Sequence, residues 1–185
     1  MTTTISNEAI TTTPAHKVSP MHALTDRLQS NAIAQARQKV AISQRGAELE
    51  TLLDVPAFLD AFVHALARGI AEVLAENDKF VQAVYTYDPS INPDSESGDD
   101  LPVSATVHLL VRVSKPSAAL EAFIASLDTA LTAKLRELSS SQFAPRTSML
   151  DVHLITEEDV QLGRGYAALL SSLFAPPIQV WQRNA

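Results

Sequence analysis

An alternation of apolar and polar residues between Val103 and Ser114 places the strongest constraint on the fold of this chain. The apolar positions are Val103, Ala105, Val107, Leu109, Val111 and Val113, and five of the six residues between or after them are polar. Because successive side chains of a strand point to opposite faces of a sheet, this pattern predicts a strand with one face in a core and the other partly in water.

Three further strands and four helices are predicted around this strand. The strands cover 80–87, 150–155 and 178–182, and the helices cover 21–53, 54–77, 116–138 and 156–174. This order predicts an α/β (or α+β) fold, with a small mixed four-stranded sheet packed by helices. Helices alternate with strands in the second half, which favours right-handed crossovers and neighbouring parallel strands there.

The predicted core is formed by the most apolar helix (54–77), the alternating strand and the helix at 116–138. It comprises Phe62, Leu66, Ile70, Val107, Leu109, Val111, Phe123, Leu127 and Leu131. The last helix is expected to begin with a capping box at Thr156 and to run to Phe174. Within it, Gly163 and Gly165 are interpreted as permitting tight packing of the helix on the sheet.

Three segments are predicted along the chain: a disordered tail at 1–20, an N-terminal helix at 21–53, and an α/β domain at 54–185. The tail is rich in threonine and contains Pro14 and Pro20. The N-terminal helix has a narrow stripe of small apolar residues, and a break near Gly46 is possible on this pattern. An acidic loop is expected at 88–102.

Charge and cysteine content exclude several classes of function. There is no cysteine, which excludes disulfides and thiolate chemistry. Residues 53–185 carry 17 acidic and 9 basic residues, and such a body repels phosphate backbones, so nucleic-acid binding is not expected. With no secretory signal or membrane-spanning pattern, we expect a cytoplasmic protein that has no membrane association and no cofactor.

The N-terminal helix is the predicted partner-binding element, through a protein partner or self-association. Its basic residues differ in sign from the acidic body, and the candidate partner-binding residues are Arg27, Ile33, Arg37, Val40 and Arg45. On this interpretation a chain without residues 1–46 still folds. The alternative, with equal weight, is that the helix folds back over its own sheet.

His108, Asp151 and His153 form a second candidate site. Each lies on a predicted strand, and Asp151 and His153 share a face because they are two residues apart. If the two strands are neighbours, two imidazoles and a carboxylate can converge on a metal ion. The favoured interpretation is that both histidines lie on a half-exposed sheet face and bind no metal.

The strand–loop–strand–helix–strand order, with HLLVRVS and then LDVHLI, resembles the minimal nucleotidyltransferase pattern. In that family a glycine-serine turn follows the first strand, two metal-binding aspartates lie on the second, and a third begins the next. Here Tyr85-Thr86-Tyr87 stands at the turn, Thr106 and His108 replace the paired aspartates, and only Asp151 matches. The resemblance therefore implies a scaffold without the metal site, which argues against transferase activity.

No motif of high specificity for catalysis or ligand binding occurs in the chain. We therefore predict a non-enzymatic interaction module that acts as a subunit or adaptor of a larger protein assembly. The alternative prediction is a degenerate nucleotidyltransferase-like enzyme or pseudoenzyme, whose site lies on the strand face that carries His108, Asp151 and His153.

Overall fold

The computed structural model describes residues 19–40, 49–53, 55–87, 106–138 and 148–184. In chain order, these ranges contain α1 (Pro20–Lys39), α2 (Leu49–Leu53), α3 (Pro56–Asn77), β1 (Val81–Thr86), β2 (Val107–Val113), α4 (Ala118–Leu138), β3 (Leu150–Thr156), α5 (Glu157–Leu162), a 3₁₀ helix (Gly165–Ser171) and β4 (Ile178–Gln182). The predicted tail up to residue 18, the predicted break near Gly46 and the acidic loop at 88–102 lie outside the described residues.

The four strands form one mixed sheet in the order β3-β2-β1-β4. β1 pairs antiparallel with both β2 and β4, whereas β2 and β3 are parallel neighbours. This confirms the predicted fold class and the predicted parallel neighbours for β2 and β3. The same prediction of parallel neighbours is wrong for β4. The chain after β3 passes to the far edge of the sheet, where β4 pairs antiparallel with β1.

The first face of the sheet packs against α3 and α4 and contains the main core. All nine predicted core residues belong to this cluster, with eight of them buried and Phe123 partly buried. α3 is buried around most of its circumference, as its apolar sequence predicts. Asp128 of α4 ties the start of β3 to this layer, since its Oδ1 atom accepts hydrogen bonds from the backbone N–H groups of Met149 (2.8 Å) and Leu150 (2.9 Å).

The apolar stripe of α1 packs against α3, so the helix lies over its own domain. Leu28, Ala32 and Ala36 are buried in the main core. The two helices approach closely at Gly69 of α3, where an added Cβ atom would lie 2.9 Å from Cδ2 of Leu28. The helix therefore folds back on its own domain, as in the second interpretation, but it packs on α3 and α4 instead of over the sheet. This packing also argues against the expectation that a chain without residues 1–46 folds unchanged.

Among the described residues, α5 and the 3₁₀ helix cover part of the second face of the sheet. The predicted capping box is confirmed, since Thr156 and Asp159 bond reciprocally at the start of α5. The predicted helix to Phe174 is wrong, because α5 ends at Leu162. Gly163 and Gly165 have φ values of +59° and +51°, and nothing lies within 4 Å of a Cβ atom added to either residue. Both glycines adopt the left-handed backbone conformation with which the chain leaves α5. They do not serve close packing of a helix on the sheet, as the sequence was interpreted.

Candidate functional site

Two parallel strands bring the predicted histidine site together on the second face of the sheet. His108 of β2 lies in register with Asp151 of β3, and Leu110 lies in register with His153. Side chains in register on neighbouring strands share a face, as do residues two apart on one strand. The structure therefore places His108, Asp151 and His153 side by side, which is the arrangement that the sequence predicted for neighbouring strands.

The Asp151 carboxylate is the centre of this group. Its Oδ2 atom accepts a hydrogen bond from the Tyr87 hydroxyl (2.8 Å) and lies 2.9 Å from Nδ1 of His108. Tyr87 follows β1, and its backbone N–H donates to the carbonyl of His108 (3.4 Å). Three strands of the sheet thus position the three side chains that meet at this one oxygen atom.

His153 lies beside the other oxygen of the Asp151 carboxylate. Its Nε2 atom lies 3.0 Å from Oδ1 of Asp151, close enough for an ion pair. The alignment does not make a hydrogen bond, and this buried nitrogen has no hydrogen-bond partner among the described residues. The imidazole stacks on Tyr166 of the 3₁₀ helix, with 3.4 Å between ring centroids and 13° between planes. We call Tyr87, His108, Asp151, His153 and Tyr166 the histidine cluster.

The hydrogen bonds of the cluster determine the charge of Asp151. Burial acts to raise the pKa of this carboxyl, but the hydrogen bonds with His108 and Tyr87 and the nearby His153 outweigh burial, so the pKa lies below its usual range. Burial raises the pKa of Tyr87 well above its ordinary value, and the hydrogen bond to Asp151 raises it further. At neutral pH the site therefore holds an ionised carboxylate beside a neutral phenol.

This arrangement orients the imidazole of His108. An ionised carboxylate can only accept, so Nδ1 of His108 carries the proton in the bond to Asp151. In the neutral ring, Nε2 then has the free lone pair. A carboxylate that fixes the tautomer of a histidine in this way is the arrangement found behind general bases and nucleophilic imidazoles.

The same geometry does not favour a metal ion at His108, Asp151 and His153. Nδ1 of His108 donates its proton to Asp151 at 2.9 Å, so this nitrogen has no lone pair for a metal ion in this arrangement. Across the described ranges, no group of three or more metal-ligating side chains is arranged to hold a metal ion.

Two members of the cluster were not predicted from the sequence. The position of Tyr87 could have been predicted, because this residue ends the predicted strand at 80–87 and neighbouring strands would bring it near His108. The position of Tyr166 could not, because it depends on the end of α5 at Leu162 and on the turn that follows. The prediction of a continuous helix to Phe174 did not include this turn, so it could not place the Tyr166 ring against the sheet.

The candidate partner-binding residues of the N-terminal helix are divided by the structure. Arg27 and Arg37 are exposed on α1, whereas Ile33 and Val40 are partly buried and pack against the main core. Arg45 lies outside the described residues. Ile33 and Val40 therefore contribute to the fold of this domain, and Arg27 and Arg37 lie on its surface.

An exposed apolar segment lies beside the histidine cluster. Its large side chains are Leu162, Tyr166, Leu173, Phe174 and Ile178, with exposed fractions of 54%, 45%, 93%, 95% and 59%. We call these five residues the apolar patch. They follow one another in the stretch of chain from α5 through the 3₁₀ helix to the edge strand β4. Tyr166 belongs to both groups, because one side of its ring stacks on His153.

No family model, no curated protein and no solved structure matches this chain. The resemblance to the nucleotidyltransferase pattern therefore gains no support from known proteins. None of the helices in the described ranges is long and apolar enough to cross a membrane.

Proposed function

We propose that this protein is a non-enzymatic interaction module, a subunit or adaptor of a larger assembly, and that a partner protein covers the apolar patch. The observation that supports this proposal is the exposure of Leu173 and Phe174, two adjacent large apolar side chains that are almost completely in solvent. Burying a side chain of this size contributes about 1.5–3 kcal/mol. Leu173 and Phe174 are adjacent in the chain, and large apolar side chains exposed together are typical of binding sites for other proteins.

The net charge of the chain favours a basic partner. The chain as a whole carries −7, although Glu157 and Glu158 beside the apolar patch are paired with Arg112 (2.8 Å) and Arg164 (3.4 Å). Two copies of this chain would bring like charges together, whereas a basic partner would be attracted and oriented. The proposed occupant is therefore a different protein that presents an apolar pocket flanked by lysine or arginine.

Photo-crosslinking in the cells that make this protein tests the proposal. A photoreactive phenylalanine analogue at position 174 is expected to give one discrete adduct, which mass spectrometry identifies. The same analogue at Ala125, an exposed position on α4, is the matched control and is expected to give no such adduct. The identified protein, once purified, should bind the wild-type chain at least tenfold more tightly than the L173S/F174S variant, and added salt should weaken this binding.

Each other outcome contradicts part or all of the proposal. An adduct that consists of two copies of this chain would show self-association and exclude the basic partner. Identical adducts from positions 174 and 125, or equal binding by the wild-type chain and the L173S/F174S variant, would show that the apolar patch does not bind a protein partner.

A second candidate function is chemistry at His108, the strand-face enzyme or pseudoenzyme that the sequence left as the alternative. The observation that favours it is the 2.9 Å contact between Nδ1 of His108 and the ionised Asp151, which leaves Nε2 as a base or nucleophile. His64 offers a matched control within the same chain. It also lies near a carboxylate, with Nδ1 3.4 Å from Asp60, but its side chain is 40% exposed against 19% for His108.

Acylation by diethyl pyrocarbonate measures the reactivity of each imidazole. At about pH 8, where a histidine of ordinary pKa is neutral, His108 is expected to react faster than the more exposed His64. The variant D151N should slow the reaction at His108 by about tenfold and leave His64 unchanged. If His108 reacts more slowly than His64 in the wild-type protein, accessibility alone controls the reaction and this candidate function is lost.

A further inference from the structure

A polar groove lies between α1 and α3, on the side of the molecule formed by the two helices. It has a volume of about 380 Å³, within the range of sites that take small molecules. Ala61 and Ala65, one turn apart on α3, line it. Both are buried, and their small side chains leave the space that the groove occupies.

The rim of this groove is basic, although the chain as a whole is acidic. Lys39 near the end of α1 and Arg68 on α3 both line it, together with the amide side chains of Gln35 and Gln38. Among the described residues, neither Lys39 nor Arg68 has a carboxylate within ion-pair distance. The acidic residues of α3 near this rim are Glu72, one turn after Arg68, and Asp60, which pairs with His64 of the groove through a 3.4 Å contact.

This set of donors defines the chemistry of a ligand. Arginine presents a planar fork of N–H donors that matches the oxygens of a carboxylate or phosphate, and lysine adds a second positive charge. The glutamine amides can donate to the remaining oxygens. A groove lined by one sign of charge also concentrates oppositely charged ligands, even on a protein of opposite net charge.

We propose that the groove between α1 and α3 binds a small organic oxyanion, a dicarboxylate or a phosphate ester, with Lys39 and Arg68 as its charge partners. A long nucleic acid does not fit this proposal, because it would extend over the acidic surface beyond the groove. The site is separate from the apolar patch and does not depend on the function proposed for that surface.

Ligand titration of the full chain, followed by NMR of backbone and side-chain amides, tests the proposal. The probes are inorganic phosphate and succinate, and neutral succinamide is the matched control for charge. At least one anion should bind saturably, with a Kd on the order of 1 mM or tighter. The signals of Gln35 and Gln38 should shift, and succinamide should cause no shift.

Single variants show whether the groove is the site. K39Q and R68Q should each weaken binding by about tenfold. R164Q removes the same charge after α5, beside the second face of the sheet and away from α1 and α3, and should leave the Kd unchanged. Circular dichroism confirms that each variant is folded. Equal loss in all three variants would indicate attraction to surface charge in general, and binding of succinamide or no saturable binding would likewise exclude the oxyanion site.

Discussion

At the scale of single residues, Asp151 is expected to contribute to the change of stability with pH. Its pKa is lower in the folded protein than in the unfolded chain, so its contribution to stability is present above about pH 4 and is lost as the pH falls. We expect D151N to lower the free energy of unfolding by about 1 kcal/mol at pH 7, a small value because the side chain is partly exposed. Urea unfolding between about pH 2 and 7 should show this difference disappearing in acid.

The matched control for Asp151 is Asp60, an exposed carboxylate on α3. D60N is expected to follow the wild-type curve at every pH, because surface pairs of this kind contribute little. A difference between wild type and D151N that stays constant down to about pH 2 would mean that the effect is not electrostatic.

Tyr87 gives a prediction in the alkaline range. Its hydroxyl is partly buried and donates to an ionised carboxylate, so its pKa lies far above the ordinary value of about 10. The variant Y87F should therefore leave the ultraviolet titration of tyrosine unchanged up to about pH 11. If the amplitude of the titration falls in Y87F within this range, Tyr87 ionises there and the hydrogen bond to Asp151 is weaker than the structure indicates.

At the scale of elements, Asp128 connects α4 to the start of β3. Its Oδ1 atom accepts from the N–H groups of Met149 and Leu150, and Met149 is buried. D128A should cost about 1–2 kcal/mol, since Leu150 loses this acceptor while Met149 keeps a second one in the Thr132 hydroxyl (3.0 Å). D128N keeps an oxygen at that position and is the matched control, with a smaller expected loss. Chemical denaturation of the two variants measures the difference, and a loss below about 0.5 kcal/mol in D128A would show that the two bonds contribute little.

The end of α5 gives a second prediction at this scale. Gly163 has a φ of +59° and nothing within 4 Å of an added Cβ atom, so only backbone strain opposes a side chain there. G163A is expected to destabilise the protein by about 1 kcal/mol, and G163N by less, since asparagine tolerates the left-handed region. A stabilised G163A in a urea titration would mean that the segment adopts another conformation in solution.

At the scale of the whole molecule, α1 is part of the core. Deleting residues 1–46 would remove Leu28, Ala32 and Ala36 and expose the face of α3 around Gly69. We expect a loss of more than about 3 kcal/mol, as for large deletions of buried apolar side chains. Deleting only residues 1–18 is the control and should leave the melting temperature unchanged. Light scattering and circular dichroism distinguish a folded monomer from an unfolded or aggregated chain, and a stable truncated domain would show that α1 is dispensable.

The local patterns of the sequence were sufficient for most of the elements and for the main core. The alternation in β2, interrupted at Leu110, determined which of its faces enters the main core, the apolar circumference of α3 determined its place in the interior, and Thr156 with Asp159 determined where α5 begins. These features depend on residues that are neighbours along the chain, which is why they can be predicted without the fold.

Only the tertiary structure decided the positions of β4, α1 and Tyr166. Each depends on contacts between residues far apart in sequence: β4 pairs with β1, Leu28 meets Gly69, and Tyr166 stacks on His153. The convergence of His108 and Asp151 was predictable only on the condition that β2 and β3 are neighbours. Strand order and helix docking are determined by the total free energy of packing, and no local pattern in this chain encodes them.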